Sequence, residues 1–146
     1  MPSEFVKEVA DVFAKDGPLS KVTANYTPRP SQIEFATSVA EALEKGKTLV
    51  AEAGTGTGKT FAYLVPALLK DQKVLISTAG KTLQDQLFTK DIPALLKALG
   101  MGCRVALLKG RSNYICKQRL EHALQEDSYV AKSREEVVLS LIHISE

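Results

Sequence analysis

A chain of 146 residues, 45% apolar and 25% charged, has the composition of a soluble globular protein with room for one real core. A formal net charge of +2 is too small to argue for nucleic acid by itself. Two cysteines, Cys103 and Cys116, make neither a C-x-x-C pair nor a disulfide framework. No window approaches about 18 apolar residues, so no membrane span is expected. Glu4, Lys7 and Glu8 interrupt the N-terminal apolar residues and are unlike a signal peptide, which makes the cytoplasm the default location.

Phe5, Val9, Val12 and Phe13 recur at helical spacing, with Ser3 as N-cap and Gly17-Pro18 as the stop. Thr27 to Pro30 must be extended, because each proline pushes its predecessor out of the α region. Ser31 is expected to cap a second helix with Ile33, Ala36, Val39, Ala40 and Leu43 on one face, ending at Gly46. Lys47 to Glu52 reads as a strand, and a helix follows from about Lys59 to Lys70, kinked or shortened by Pro66. Lys73 to Ser77 reads as a second strand, Lys81 to Lys90 as a helix, Ile92 to Leu99 as a short helix and Arg104 to Leu108 as a third strand. Alternating strands and helices with short connections predict an α/β fold with a parallel sheet and right-handed crossovers. The charged stretch 117–136 reads as helical and as the start of a different substructure.

The most informative run lies between the first strand and the helix after it: Ala53-Gly54-Thr55-Gly56-Thr57-Gly58-Lys59-Thr60. It matches the phosphate-binding pattern G-x-x-x-x-G-K-[ST] in the strand–loop–helix setting that pattern requires, with Ala53 replacing the first glycine. Glycines at 54, 56 and 58 let successive backbone N–H groups turn toward one anion, and the helix adds its positive end. Lys59 is then placed for the β- and γ-phosphates and the Thr60 hydroxyl for Mg²⁺. These residues predict binding of a nucleoside triphosphate.

Four ordered segments extend the pattern: Tyr26 to Gln32, Glu52 to Thr60, Ile76 to Leu87, and Leu107 to Cys116. Together they resemble the start of a superfamily 2 helicase, more narrowly the DinG/YoaA branch of the XPD-like iron–sulfur DNA helicases, over roughly residues 16–125. The resemblance implies a RecA-like P-loop fold and an ATP-dependent DNA helicase that moves 5′ to 3′ on single-stranded or forked DNA in repair. It also implies that Gln32 reads adenine, a role an amide can fill by giving and taking one hydrogen bond at N6 and N7. A helix-capping or solvated glutamine is the plain alternative, and Tyr26 either stacks on the base or simply packs.

Thr78, Lys81, Thr82 and Gln84 match the helicase segment that touches the single-strand backbone, and Lys109 and Arg111 follow the next strand on the same edge. The alternative for Thr78 to Gln84 is an ordinary strand–helix turn. Gly110 to Cys116 resembles the segment carrying the first ligand of a [4Fe–4S] cluster, which needs four thiolates. Cys103 reads as a small core residue and His122 as a solvated one.

The resemblance divides the chain into a helical lead-in (1–25), the first part of an ATP-binding domain (26–112) and the start of a cluster domain (113–138). Residues 139–146, Leu-Ser-Leu-Ile-His-Ile-Ser-Glu, resemble the in-frame translation of a transposon end used in sequencing libraries and read as a non-native tail. No Asp-Glu pair follows a hydrophobic strand after the loop, so the segment alone is expected to bind ATP without turning it over. An RNA helicase, a cluster-free DNA translocase, or a nucleotide-binding module without motor activity are the rival readings.

Overall fold

Ser3 opens the first helix as its sequence predicts: its Oγ accepts from the amide of Val6 at 3.2 Å. In the computed structural model, which describes residues 2–23, 26–54, 56 and 58–125, the chain separates into two units, Met1–Val105 and Ala106–Glu146. In the first unit, α1 (Glu4–Val12) buries Val6, Val9 and Val12, and Phe13 follows them into the core. A 3-10 turn at Pro18–Lys21 then drops Leu19 among them.

Helix α2 (Pro30–Lys45) starts one residue before the expected cap. Pro30 holds the first helical position, where its fixed φ suits the helix and its missing N–H costs nothing, so Ser31 falls inside the first turn. The helix closes on Gly46 at φ 59°, a left-handed cap. Its inner face carries Gln32, Ala36 and Ala40, and two small residues four apart let α2 lie close against its neighbours. Leu43, expected on that face, is exposed.

Helix α3 (Lys59–Leu69) packs between α2 and α1 with Ala62, Leu64, Val65 and Pro66 buried. It runs through Pro66, ending at Leu69 with a C-cap at Lys70. The Lys70 ammonium sits 4.7 Å from the centre of the Phe5 ring and ties the end of α3 to α1.

The expected helix 81–90 is instead a shorter α4 (Lys81–Gln86) followed by a π-turn over Leu87–Asp91 that runs directly into α5 (Ile92–Leu99). Pro93 supplies the reason, since it can give no hydrogen bond to Thr89 and its ring crowds that carbonyl, and a wider turn relieves both. Ile92 and Leu95 bury α5 against the 3-10 turn and α3, whereas α4 buries nothing. The fully buried Phe13, Leu19, Leu64 and Leu95 each contribute about 1.5–3 kcal/mol, which makes this helical cluster the core of the first unit.

The predicted sheet is not formed among the described residues. Segments 47–52, 73–77 and 104–108 run without strand pairing, and Val50, Leu75 and Leu108 are 93%, 94% and 80% exposed. A strand exists only through its neighbours' hydrogen bonds, and in doubly wound sheets adjacent strands come from distant parts of a chain. In the second unit, a 3-10 turn at Arg111–Asn113 precedes α6 (Lys117–Gln125), whose Leu120 amide donates to the Cys116 carbonyl at 3.0 Å. The expected helix reached residue 136; its remainder and the tail 139–146 lie outside the described residues.

Candidate nucleotide site

Gly56 and Gly58 take φ of 74° and 78°, in the left-handed region that side-chain-bearing residues avoid. The chain enters α3 directly at Lys59 after Gly58, leaving first-turn amides that have no partner within the helix. The Lys59 ammonium folds back into the loop, where its Nζ donates to the carbonyls of Ala53 and, at 3.0 Å, Gly54. Thr60 is half-buried in the first turn of α3. Thr55 and Thr57 lie outside the described residues.

Residues 26 to 32 reach the same loop from the other side. Gln32 is 7% exposed, the one buried polar side chain among the described residues, and its Nε2 donates to the Gly58 carbonyl at 3.0 Å. Arg29 donates from Nη1 to the Gly56 carbonyl. Alternate loop carbonyls are thus held by two side chains three residues apart, a spacing that Pro30 fixes by starting the helix between them. Gln32 is neither solvated nor a helix cap. One amide hydrogen of its Nε2 is engaged by the loop.

Tyr26 spends its hydroxyl on packing, donating to the Phe13 carbonyl at 2.9 Å. Burial pushes that hydroxyl above the ordinary tyrosine range, against a smaller downward pull from the Arg29 guanidinium. Arg29 is the site residue that sequence reasoning missed. Its signal was its place between two prolines, three residues before Gln32.

The residues matched to DNA contact fall in both units. Thr78 donates from Oγ1 to the Gly80 carbonyl at 3.3 Å in the turn before α4, where Lys81 and Thr82 are exposed and Gln84 is half-buried. Lys109 and Arg111 belong to the second unit: the Lys109 amide donates to the Tyr114 hydroxyl at 2.8 Å, and Arg111 opens the 3-10 turn.

Cys116 is free and exposed just before α6, and His122 is exposed on it. Cys103 is also exposed, correcting its reading as a core residue: the unpaired segment around it gives it nothing to pack against. Among the described residues no three His, Cys, Asp or Glu side chains gather as metal ligands. A [4Fe–4S] cluster takes four thiolates, so the two cysteines of this chain cannot complete one unaided.

A glycine loop opening a helix, a lysine folded into it and a glutamine bracing it define a P-loop nucleotide-binding protein. The profile of the DEAD/DEAH box helicases matches residues 33–139, and the chain belongs to that family, whose fold is that of the P-loop NTPases. It is 56% identical over 113 residues to the ATP-dependent DNA helicase YoaA of Escherichia coli K12, covering 77% of this chain and 18% of that protein. The Haemophilus influenzae protein of the same name is 47% identical over 123 residues, covering 84% and 19%. The 3'-5' exonuclease DinG of Bacillus subtilis is 36% identical over 113 residues, covering 75% and 12%. The chain therefore spans less than a fifth of the length of these relatives. No solved structure matches it.

Proposed function

We propose that this chain supplies the ATP-binding part of an ATP-dependent DNA helicase of the DinG/YoaA kind. The observation that carries the reading is the convergence of Lys59 and Gln32 on one loop, with Gln32 Nε2 3.0 Å from the Gly58 carbonyl. Neutral carbonyls hold the Lys59 ammonium, and a triphosphate entering the loop offers it a stronger, charged acceptor. The amides of Gly58 to Thr60 would bind phosphate, and the Thr60 hydroxyl would hold Mg²⁺. That ion, when bound, neutralises charge between the β- and γ-phosphates.

In this reading segments 47–52, 73–77 and 104–108 are strands of the parallel RecA-like sheet. Residues 1–25 lead in, 26–112 form the first part of the ATP-binding domain and 113–138 begin the cluster domain. Thr78, Lys81, Thr82, Gln84, Lys109 and Arg111 meet single-stranded or forked DNA, with 5′ to 3′ movement in repair and a cytoplasmic location following from the resemblance. Cys116 is one of four cluster ligands, the rest lying outside this chain.

Two tests separate these roles. Gln32→Ala in the full-length protein removes the brace on Gly58, and ATP and GTP both lose about 0.5–1.5 kcal/mol of binding. If Gln32 also reads adenine, ATP loses a further ~1–3 kcal/mol that GTP does not. Competition between the two nucleotides reads the difference, and an unchanged ratio leaves Gln32 as a brace alone. For the cluster, the full-length protein purified without oxygen is expected to be brown, and Cys116→Ser to bleach it and abolish unwinding. A colourless, iron-free and fully active protein would point to the cluster-free translocase or RNA helicase instead.

A further inference from the structure

Helix α1 ends at Val12, so the carbonyls of its last turn find no amide further along the helix. The Phe13 carbonyl, at the cap position, is satisfied by a residue outside the helix. Tyr26, half-buried against the core, donates to it from its hydroxyl at 2.9 Å. Three residues on, the Arg29 guanidinium donates to the Gly56 carbonyl. One short segment therefore holds the end of α1 with one side chain and the phosphate loop with another.

The chain between these two ties has little freedom. Pro28 and Pro30 fix their own φ and keep Thr27 and Arg29 extended, with Arg29 at φ −114° and ψ 118°. The Arg29 carbonyl accepts from the amides of Gln32 and Ile33 at 3.0 and 3.1 Å, which fixes its backbone to the start of α2. Its side chain is exposed, and among the described residues no carboxylate forms an ion pair with it. Gly56 is the soft end: it sits at φ 74° with open space where a side chain would lie. A glycine has the most conformational freedom to lose, and a loop that must be ordered on binding costs affinity. A charge-assisted hydrogen bond to its carbonyl removes that freedom beforehand.

We propose that Tyr26 and Arg29 are positioning residues that tie the Gly56 carbonyl to the end of α1 and so order the phosphate loop before nucleotide arrives. The proposal rests on the nucleotide reading of that loop and adds a task for two side chains that act through the loop rather than on the ligand. Apparent affinity falls in proportion to the fraction of molecules whose loop is ordered. Every nucleotide that enters the loop shares the loss, whatever its base and with or without a γ-phosphate. The ties act in series, so cutting either one slackens Gly56, and cutting both slackens it only once.

The test is calorimetric titration of ADP and of non-hydrolysable ATP and GTP analogues, each with Mg²⁺, into the full-length protein and its variants. Arg29→Met, and Tyr26→Phe, which keeps the ring and loses the hydroxyl, are each expected to weaken all three ligands by about fivefold. The double variant is expected to lose less than about tenfold, where independent effects would multiply to about 25-fold. Arg29 gives the loop one hydrogen bond rather than a fork, so Arg29→Lys is expected to stay within about twofold of wild type. Arg29 is exposed, and its variants report even if Tyr26→Phe fails to fold. Wild-type affinity in Arg29→Met, an Arg29→Lys as weak as Arg29→Met, or a 25-fold loss in the double variant would overturn the proposal. So would a loss confined to adenine nucleotides or to triphosphates, since either puts these side chains on the ligand itself. A wild-type protein that binds none of the three ligands would instead bring down the nucleotide reading beneath it.

Discussion

Replacing Lys59 with alanine is expected to weaken Mg-ATP binding by about 1.5–3 kcal/mol, roughly 10- to 150-fold in Kd. The ammonium is the loop's own cation, and charge-assisted bonds to phosphate are the strong class of hydrogen bond. Its present partners, the Ala53 and Gly54 carbonyls, moderate the loss, because wild-type Lys59 must leave them before it can meet a phosphate. Calorimetry on both proteins, with circular dichroism to confirm that α3 is intact, measures the effect. Equal affinities would mean that the triphosphate does not enter this loop.

The helices were legible because each carries its own punctuation. Ser3, Gly46 and Gly100 end or begin helices by local chemistry that needs no partner, and each acts where its residue type predicts. Ser31 misled because Pro30 competes for the same boundary and sets φ outright, whereas a serine cap only adds a hydrogen bond. The π-turn was hidden for a different reason: Pro93 announces a disturbance, but periodicity alone does not say whether a helix breaks or widens. The strand segments are unpaired among the described residues: Val50 and Leu75 have strand-like neighbours in sequence, yet pairing is a tertiary fact, and both side chains are exposed.

At the site, the loop was legible from composition and flanks, while its bracing was not. Gln32 is 26 residues from Gly58 along the chain, and only the packing of α2 beside α3 brings its amide to that carbonyl. Sequence pattern placed Gln32 near a base; the structure adds that the same side chain holds the loop. On the proposed reading, in which Gln32 also meets adenine, one side chain would link base and phosphate recognition.

That contact makes Gly58 harder to replace than Gly56. A Cβ there would lie 2.2 Å from Gln32 Nε2 and 2.8 Å from its Cδ, at a φ of +78° that already disfavours a side chain. Gly56 has nearly the same conformation, φ +74°, but nothing within 4 Å of the added carbon. Gly56→Ala therefore carries backbone strain alone, about 1–2 kcal/mol. Gly58→Ala carries that strain and also drives a buried amide off its acceptor, adding about 1–3 kcal/mol for the unsatisfied pair. The expected order of ATP affinity is wild type, then Gly56→Ala, then Gly58→Ala, with roughly a further tenfold loss at the last step. Adding Gln32→Ala to Gly58→Ala removes the collision, so the double variant should bind no worse than the sum of strain and lost brace. If Gly56→Ala and Gly58→Ala bind ATP equally, Gln32 does not press on the loop, and its buried amide has some other task.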